Sequence, residues 1–287
     1  MIKQAKKGPA LIREVVDTDV PFGTLAIWFL GQESVIIKGD GVTIYIDPYV
    51  SDYLEKNEGA VRTYPAPIVP EDITGADLCL ITHDHGDHLD RGTLPVFHRQ
   101  NPDALIMGPA CCIPLLTGLG IAERQIVEAE EGKHGFFSKV SITPVPAAHE
   151  QLDKDNEGKY RYTGYLIELN GVKLYHAGDT VVYPGLVESL SAVKPDIALL
   201  PINGRDYFRG ESGLIGNMNY REAAELAVRI GADTVVPLHY DVFMGNTEKP
   251  GYFVDYLYEH YPEQKCHVMA RGERFVYVSG QAFMTRL

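Results

Sequence analysis

Short apolar runs separated by turn residues dominate the beginning of the chain. The runs LAIWFL at 25–30, SVIIK at 34–38 and VTIYI at 42–46 are rich in β-branched and aromatic residues, and a glycine-bearing turn joins the last two. This pattern predicts three strands of a β-meander. The third strand ends at Asp47, because the proline that follows cannot donate a hydrogen bond to a neighbouring strand. We therefore expect Asp47 at the mouth of a strand.

The stretch from 51 to 75 lacks hydrophobic periodicity and contains three prolines. It predicts an irregular loop, and a loop of this length is typical of a wall or lid beside a functional site. Beyond it, apolar runs alternate with amphipathic stretches, which indicates an α/β domain. The predicted strands lie at 76–82, 104–108, 140–145, 163–169, 172–175, 196–200 and 234–238, and the predicted helices lie at 93–100, 186–193 and 219–231.

The stretch at 219–231 has the clearest helical signals. Asn219 can cap its amino end and Glu222 stands at the N3 position, so both side chains can bond the backbone there. No stretch rich in glycine or serine divides the chain into separate units. We therefore expect one domain over residues 1–287, with residues 1–24 as an N-terminal extension.

Charge balance and apolar content limit the classes of protein to consider. A chain of 287 residues with 45% hydrophobic content can bury a sizeable core. The formal charge of -13 repels a phosphate backbone, so we expect no nucleic-acid partner. No run approaches the roughly 18 apolar residues of a membrane span, and the N-terminus lacks the apolar stretch of a secretory signal. The four cysteines show no metal-ligand spacing and are too few for a disulfide scaffold, which is typical of a reduced compartment. We therefore predict a cytoplasmic protein without membrane association.

Histidine is concentrated in one short segment of the chain. The segment THDHGDH at 82–88 follows a predicted buried strand and holds three imidazoles beside the carboxylate of Asp87. Neutral imidazole and carboxylate are the ligands that zinc, manganese and iron prefer. A solvated surface loop seldom concentrates histidine in this way, since the whole chain has only 10. The segment therefore predicts a metal site.

Three further polar residues stand just beyond apolar runs. His149 follows ITPVPAA, Asp179 follows KLYHAG, and His239 follows TVVPL. Each of these runs is a predicted strand, and strand ends at one edge of a sheet converge. We therefore expect these three side chains to join the histidine-rich segment in one site.

These residues, taken in order, carry a resemblance to a known family. Asp47, the H-x-H-x-D-H run, His149, Asp179 and His239 match the five motifs of the metallo-β-lactamase superfamily, and the match spans roughly residues 25–280. The resemblance implies a four-layered αββα sandwich with the site at one edge of its two sheets.

The same resemblance implies a role for each matching residue. Asp179 would bridge two metal ions, and an aspartate there, rather than a cysteine, argues against the zinc β-lactamases themselves. Asp47 would accept a ring N–H from a ligand histidine and so fix its orientation. The first metal would be held by His83, His85 and His149, and the second by Asp87, His88 and His239.

A site of this kind is suited to hydrolysis. Two adjacent cations lower the pKa of a bridging water and so supply hydroxide at neutral pH, while one of them polarises a carbonyl or phosphoryl oxygen. Asp87 and Asp179 are the candidate catalytic residues that relay a proton to the leaving group. The ligand set accepts Mn²⁺ or Zn²⁺, with iron as a less favoured third choice, at one or two ions per chain.

The segment PINGRDYFRG at 201–210 is a candidate for substrate binding. Arg205 and Arg209 can each form a bidentate contact with a phosphate or carboxylate, and Asn203 and Tyr207 can add directional hydrogen bonds. An ordinary surface loop with ion pairs explains the same residues equally well. The sequence leaves both interpretations open.

The chain also resembles a narrower branch, the L-ascorbate-6-phosphate lactonases. The resemblance rests on the PINGRDYFR segment, the IGNM segment before a helix, the opening IWFLGQESVIIK and the HAGDT segment. It implies opening of a phosphorylated sugar lactone such as L-ascorbate 6-phosphate, a manganese-type ion and a homo-oligomer. The chain is shorter than many members of that branch.

Three other classes of function use related sites. A phosphodiesterase or nuclease of the superfamily would use the same ligands but needs a basic surface, which the charge of -13 does not provide. A metal-dependent oxygenase would hold iron. A site that merely stores metal requires an incomplete or closed ligand set, whereas all seven ligand positions are filled here.

Overall fold

The computed structural model describes residues 5–284. Of the domain predicted over 1–287, residues 1–4 and 285–287 lie outside the described residues. The strands are β1 (Thr24–Gly31), β2 (Ser34–Gly39), β3 (Val42–Ile46), β4 (Leu78–Leu80), β5 (Leu105–Gly108), β6 (Ile126–Glu128), β7 (Gly135–Phe137), β8 (Val140–Pro146), β9 (Thr163–Leu169), β10 (Val172–His176), β11 (Ile197–Pro201), β12 (Thr234–Leu238), β13 (Lys265–Cys266) and β14 (Arg274–Val278). The helices are α1 (Pro9–Asp17), α2 (Tyr53–Glu58), α3 (Leu94–Gln100), α4 (Ile113–Gly118), α5 (Leu186–Val193), α6 (Tyr207–Glu211), α7 (Tyr220–Arg229) and α8 (Pro250–His260).

The strands form two seven-stranded mixed sheets. The first has the order β14-β1-β2-β3-β4-β5-β6 and the second the order β13-β12-β11-β10-β9-β8-β7. In the first sheet, β3 to β6 are parallel to one another. In the second, β10 to β13 are parallel, and β8 shares their direction because it and β10 both pair antiparallel with β9. The carboxyl ends of β8, β10 and β12 therefore lie at one edge of the second sheet.

Both faces of each sheet are buried, which explains the nearly continuous apolar runs in the sequence. On β1, Leu25, Ile27 and Phe29 face the other sheet, whereas Ala26 and Trp28 face the helices outside. In a strand that is buried on both faces, apolar residues occupy both faces, so apolar and polar residues do not alternate along it. The layers are therefore helix, sheet, sheet and helix, and the predicted four-layered αββα sandwich is confirmed.

Three apolar clusters hold these layers together. One lies between the two sheets. The second packs α1, α3 and α4 on the outer face of the first sheet, and the third packs α5, α7 and α8 on the outer face of the second. No helix within residues 5–284 is both long enough and apolar enough to cross a membrane.

The predicted elements are largely confirmed, with differences where short helices interrupt loops. The helix expected at 219–231 is α7, and Asn219 and Glu222 form its capping box. The prediction of an irregular loop over 51–75 is wrong at α2, a helix of six residues that is too short for hydrophobic periodicity to reveal.

Further elements lie in stretches for which the sequence patterns predicted no helix or strand, namely α1, α4, α6, α8, β6, β7, β13 and β14. The stretch described as an N-terminal extension contains α1, which begins at a proline and buries Leu11, Ile12 and Val15. Near the other end of the chain, β14 adds an edge strand to the first sheet by pairing with β1.

Candidate metal centre

The polar residues predicted at strand ends meet at one edge of the two sheets. The segment 82–88 follows β4, and Asp47 directly follows the neighbouring strand β3. In the second sheet, His149, Asp179 and His239 follow β8, β10 and β12. The two sheets thus face each other across the site, and each supplies part of it.

The backbone at the site adopts conformations that side chains usually avoid. Gln32, Asp47 and His239 have φ values of 57°, 43° and 56°, in the left-handed region where residues other than glycine are uncommon. Gly178, just before Asp179, has a φ of 59°, and a Cβ atom there would lie 2.9 Å from the Thr82 Cβ. Strained conformations of this kind cluster where side chains must be aimed at a shared point.

The structure brings all seven predicted ligands together. The donor atoms of His83, His85 and His149 lie within 4.8 Å of one another, and so do those of a second group. The second group consists of Asp87, His88 and His239.

Asp179 lies between these two groups. Its Oδ1 is 3.5 Å from the Nε2 of His88, and its Oδ2 is 3.6 Å from that of His149 and 3.2 Å from that of His239. This is the position that a bridging carboxylate requires.

The residues present fit a divalent metal ion. His83 Nε2, His88 Nε2 and Asp179 Oδ1 are buried and make no hydrogen bond. Buried polar atoms are normally paired, so a group of such atoms pointing at one another calls for a ligand between them. The donors are imidazole nitrogens and carboxylate oxygens, which suit zinc, manganese or iron.

Charges within the site favour binding of a cation. Burial lowers the pKa of His83, His85 and His149, so these imidazoles are neutral and have a lone pair to donate. Burial alone would raise the pKa of Asp179, but His239 and His88 hold it well below its usual range. The centre therefore combines three neutral imidazoles with an ionised carboxylate. Burial alone would lower the pKa of His88, but the charges of Asp179, Asp87 and Asp47 raise it well above its usual range.

Asp47 holds one of the ligands in place from behind. Its Oδ2 accepts a hydrogen bond from His88 Nδ1 at 2.7 Å, as expected from the sequence. Its two oxygens also accept from the backbone N–H and the hydroxyl of Thr82, at 2.8 and 2.6 Å. A carboxylate can only accept here, so His88 carries its hydrogen on Nδ1 and its Nε2 is available to a metal.

Gln32 is a site residue that the sequence analysis did not identify. Its Nε2 donates to Asp87 Oδ2 at 2.7 Å and lies 2.9 Å from His239 Nε2. Gln32 thus contacts both Asp87 and His239, two members of the second ligand group. A signal was available, since Gln32 and Glu33 are a polar pair between two strands that are otherwise apolar.

Glu33 is a second residue that was not identified. Its side chain is fully buried, neither carboxyl oxygen makes a hydrogen bond, and His176 Nε2 lies 3.4 Å from Oε2. Burial raises the pKa of the Glu33 carboxyl well above its usual range, and the charge of Asp179 adds to the effect. This direction favours the neutral acid form of Glu33 behind the metal centre.

The centre lies at the floor of a cavity of about 610 Å³. Its walls come from α2 with the residues up to Val61, from the segment at 213–215, and from the segment at 243–246. The stretch at 51–75 therefore contributes a wall of the site, as its length suggested.

The residues predicted to bind a substrate phosphate are engaged elsewhere. Arg205 makes a bidentate ion pair with Glu222 at 2.7 and 2.8 Å, and Arg209 pairs with Asp206 at 2.5 Å. None of the four predicted residues is among the described residues that line the cavity.

The remaining two of these residues, Asn203 and Tyr207, also lie away from the cavity lining. Asn203 is buried behind the wall, where it bonds Asn246 and Asn217, and Tyr207 is 72% exposed on α6. The positions of the four residues support the interpretation of the segment as a loop held by ion pairs.

The sequence and the fold are similar to those of known proteins. Residues 42–240 match the family model of the beta-lactamase superfamily domain. The chain belongs to this superfamily. A UPF0173 metal-dependent hydrolase of Pyrococcus furiosus is 33% identical over 225 residues, which cover 76% of this chain and 85% of that protein.

Two further relatives agree with the family assignment. A protein of Salmonella choleraesuis described as a probable L-ascorbate-6-phosphate lactonase is 24% identical over 270 residues, covering 82% of this chain and 75% of that protein. The solved structure of a metallo hydrolase from Ignicoccus hospitalis is 25% identical, with a TM-score of 0.66 over 88% of this chain and 98% of that one. The protein is thus a metal-dependent hydrolase of the metallo-β-lactamase superfamily, and we call it the hydrolase below.

Replacing Asp47 tests its role in positioning His88. Asparagine tolerates the positive φ of this position. Its side chain has one acceptor oxygen instead of two, so it cannot accept the hydrogen bonds of His88 and Thr82 on two separate oxygens. We expect Asp47→Asn to weaken metal binding by about 10- to 100-fold, measured by titration against a competing chelator. Asp77→Asn is the control. Asp77 accepts a hydrogen bond from Thr43 N at 2.8 Å, at the amino ends of β3 and β4, whereas Asp47 lies at their carboxyl ends. Equal affinities of Asp47→Asn and the unaltered hydrolase would contradict the assigned role.

Replacing Glu33 tests whether its carboxyl is neutral. A carboxyl with a raised pKa in the folded state adds stability below its unfolded pKa of about 4.3 and loses that contribution as pH rises. Glu33→Gln should therefore gain stability relative to the unaltered hydrolase as the pH rises above about 4.3, by up to about 1.4 kcal/mol per pH unit. Denaturant unfolding at several pH values measures this difference. Glu168→Gln, at an exposed position of β9, controls for the loss of one carboxylate. If the stability difference between Glu33→Gln and the unaltered hydrolase did not change with pH, the raised pKa of Glu33 would be refuted.

Proposed function

We propose that the hydrolase opens a small lactone to its hydroxy acid, using divalent metal held by the seven ligands. The observation that carries the proposal is the pair of ligand groups joined by Asp179 at the floor of a cavity. When bound, divalent metal makes water a stronger acid and polarises a carbonyl oxygen. The ligands suit Mn²⁺ or Zn²⁺ best, and iron less well.

Asp87 is the residue we assign to proton transfer. It lines the cavity, and 18% of its side chain is exposed, compared with 4% of that of Asp179. Burial alone would raise the pKa of Asp87, but His88 and His239 lower it, so the carboxylate is ionised and can accept a proton.

The proton balance of the reaction follows from this assignment. Water adds to the lactone carbonyl, the ring C–O bond breaks, and the proton taken from water passes to the leaving oxygen. Gln32, which donates to Asp87 Oδ2, keeps this carboxylate turned toward the cavity. Asp179 is the alternative carrier of the proton, but only 4% of its side chain is exposed and three histidines surround it, so it is less accessible to the leaving oxygen than Asp87 is.

A carboxylic ester fits the cavity better than a phosphodiester does. The same ligands would serve phosphodiester hydrolysis by a nuclease of the superfamily. However, no lysine or arginine is among the described residues that line the cavity, and the formal charge is -13. A nucleic-acid backbone would find no cationic partner beside the metal centre.

L-ascorbate 6-phosphate is the first phosphorylated lactone to test, because one relative is described as its lactonase. The hydrolase is stripped of metal, reloaded separately with Mn²⁺ and Zn²⁺, and given this compound, γ-butyrolactone and a phosphodiester reporter. Ring opening is followed by proton release and by NMR. We expect metal-dependent opening of a lactone and no cleavage of the phosphodiester.

A ligand variant links the activity to the site. His85→Ala should bind less metal and lose at least about 100-fold in kcat/KM, because it removes one ligand and no core volume. His134→Ala is the control, since His134 is exposed, lies outside the cavity lining and hydrogen-bonds Thr143 at 2.7 Å. Unchanged metal content and turnover in His85→Ala, or cleavage of the phosphodiester alone, would refute the proposal.

A further inference from the structure

We propose that the substrate carries an uncharged hydrophobic substituent, which lies against an apolar wall of the cavity beside the metal centre. The inference rests on the proposed lactone hydrolysis for the bond that is broken, and it adds the chemical class of the remainder of the substrate. We define the apolar wall as Leu54, Val61, Leu214, Ile215, Phe243 and Met244, all of which line the cavity.

The wall lies directly against the metal-binding segment. A Cβ atom added to Gly86, between the ligands His85 and Asp87, would lie 2.4 Å from Leu54 Cδ2. Only glycine therefore allows Leu54 to approach this closely. A substrate carbonyl at the metal centre thus has an apolar surface as its immediate neighbour.

The wall is exposed in a way that core residues are not. Val61 is 60% exposed, Leu214 41%, Ile215 40% and Met244 88%. Four apolar side chains around one opening form an exposed apolar patch, and such patches on soluble domains mark sites where an apolar group binds. Their position at the mouth of the cavity identifies that group as part of the substrate.

The wall is built before any substrate arrives. Thr63 N donates to Val242 O at 2.8 Å, and a β-bridge between Arg62 and Phe243 ties the α2 side of the wall to the 243 side. On the third side, Glu150 Oε1 accepts from Gly216 N at 2.9 Å. A preformed apolar cavity binds apolar ligands without the cost of ordering a loop.

The charges around the cavity oppose an anionic substituent. Among the described residues that line it, the charged group outside the metal centre is Glu58, whose carboxylate would repel a phosphate. Arg205 is neutralised by Glu222 and Arg209 by Asp206. Arg209 also donates to Asn203 O and to Asn246, so it fixes the wall from behind.

A series of γ-lactones tests the substituent at constant ring chemistry. The compounds are γ-butyrolactone, γ-hexalactone, γ-octalactone, and γ-butyrolactone with a phosphomethyl group at the same ring position. We expect kcat/KM of the metal-loaded hydrolase to rise roughly threefold to fourfold per added methylene, the value for transfer from water to an apolar surface. The phosphomethyl compound should be a poorer substrate than γ-hexalactone.

Variants of the wall should remove this dependence on chain length. Val61→Ser and Leu214→Ser change exposed side chains, so they should fold normally and lower kcat/KM for γ-octalactone much more than for γ-butyrolactone. Phe208→Ser is the matched control, because Phe208 is apolar and 80% exposed but does not line the cavity. It should leave the chain-length dependence unchanged.

Binding of the products gives a readout that does not depend on turnover. Calorimetry should show that 4-hydroxyoctanoate binds the hydrolase more tightly than 4-hydroxybutanoate, and that Val61→Ser and Leu214→Ser reduce the difference. Equal affinities, or preference for the phosphomethyl lactone or its product, would overturn the inference while leaving lactone hydrolysis in place. Failure to open any lactone would refute the proposed function, and the affinities of the two hydroxy acids would still decide the character of the wall.

Discussion

The site depends on one buried carboxylate, that of Asp179, lying within reach of histidines from both sheets. It contacts His88 from the first sheet and His149 and His239 from the second, yet only 4% of its side chain is exposed. An ionised group in such a place is tolerated only when opposite charges or hydrogen bonds offset the loss of water. The imidazoles do this in part, and a cation shared between the two ligand groups would complete the compensation. The packing of the two sheets therefore also sets the positions of the metal ligands.

Several features of the structure hold that carboxylate and its neighbouring ligands in position. The left-handed backbone at Asp47 and His239, the glycine at 178, the hydrogen bond that Gln32 donates to Asp87 and the one that Asp47 accepts from His88 all limit how the ligands can move. Ligands held by strand ends of two packed sheets lose little entropy when metal binds. The cavity above them is equally well supported, since hydrogen bonds and ion pairs anchor each of its walls.

The sequence predicted the frame of the fold and the convergence of the seven candidate ligands, because both follow from local patterns and from the family order of the motifs. Strands buried on both faces read as apolar runs, and ligands at their ends stand out as polar residues in the family order. What it did not predict depends on contacts between distant residues. The polar pair at 32 and 33 stands out locally, but the contact of Gln32 with Asp87 spans 55 positions, and no local pattern identifies that partner. Similarly, whether Arg205 faces a substrate or Glu222 is decided by tertiary structure, since the residue types allow both.

The central claim is that two ligand groups hold adjacent metal ions that share Asp179. Anomalous diffraction from crystals of the hydrolase loaded with Mn²⁺, measured on both sides of the manganese absorption edge, tests it most directly. The account predicts two neighbouring peaks, one among His83, His85 and His149 and the other among Asp87, His88 and His239, with Asp179 between them. A single peak away from Asp179, or no peak at this edge of the sheets, would contradict it.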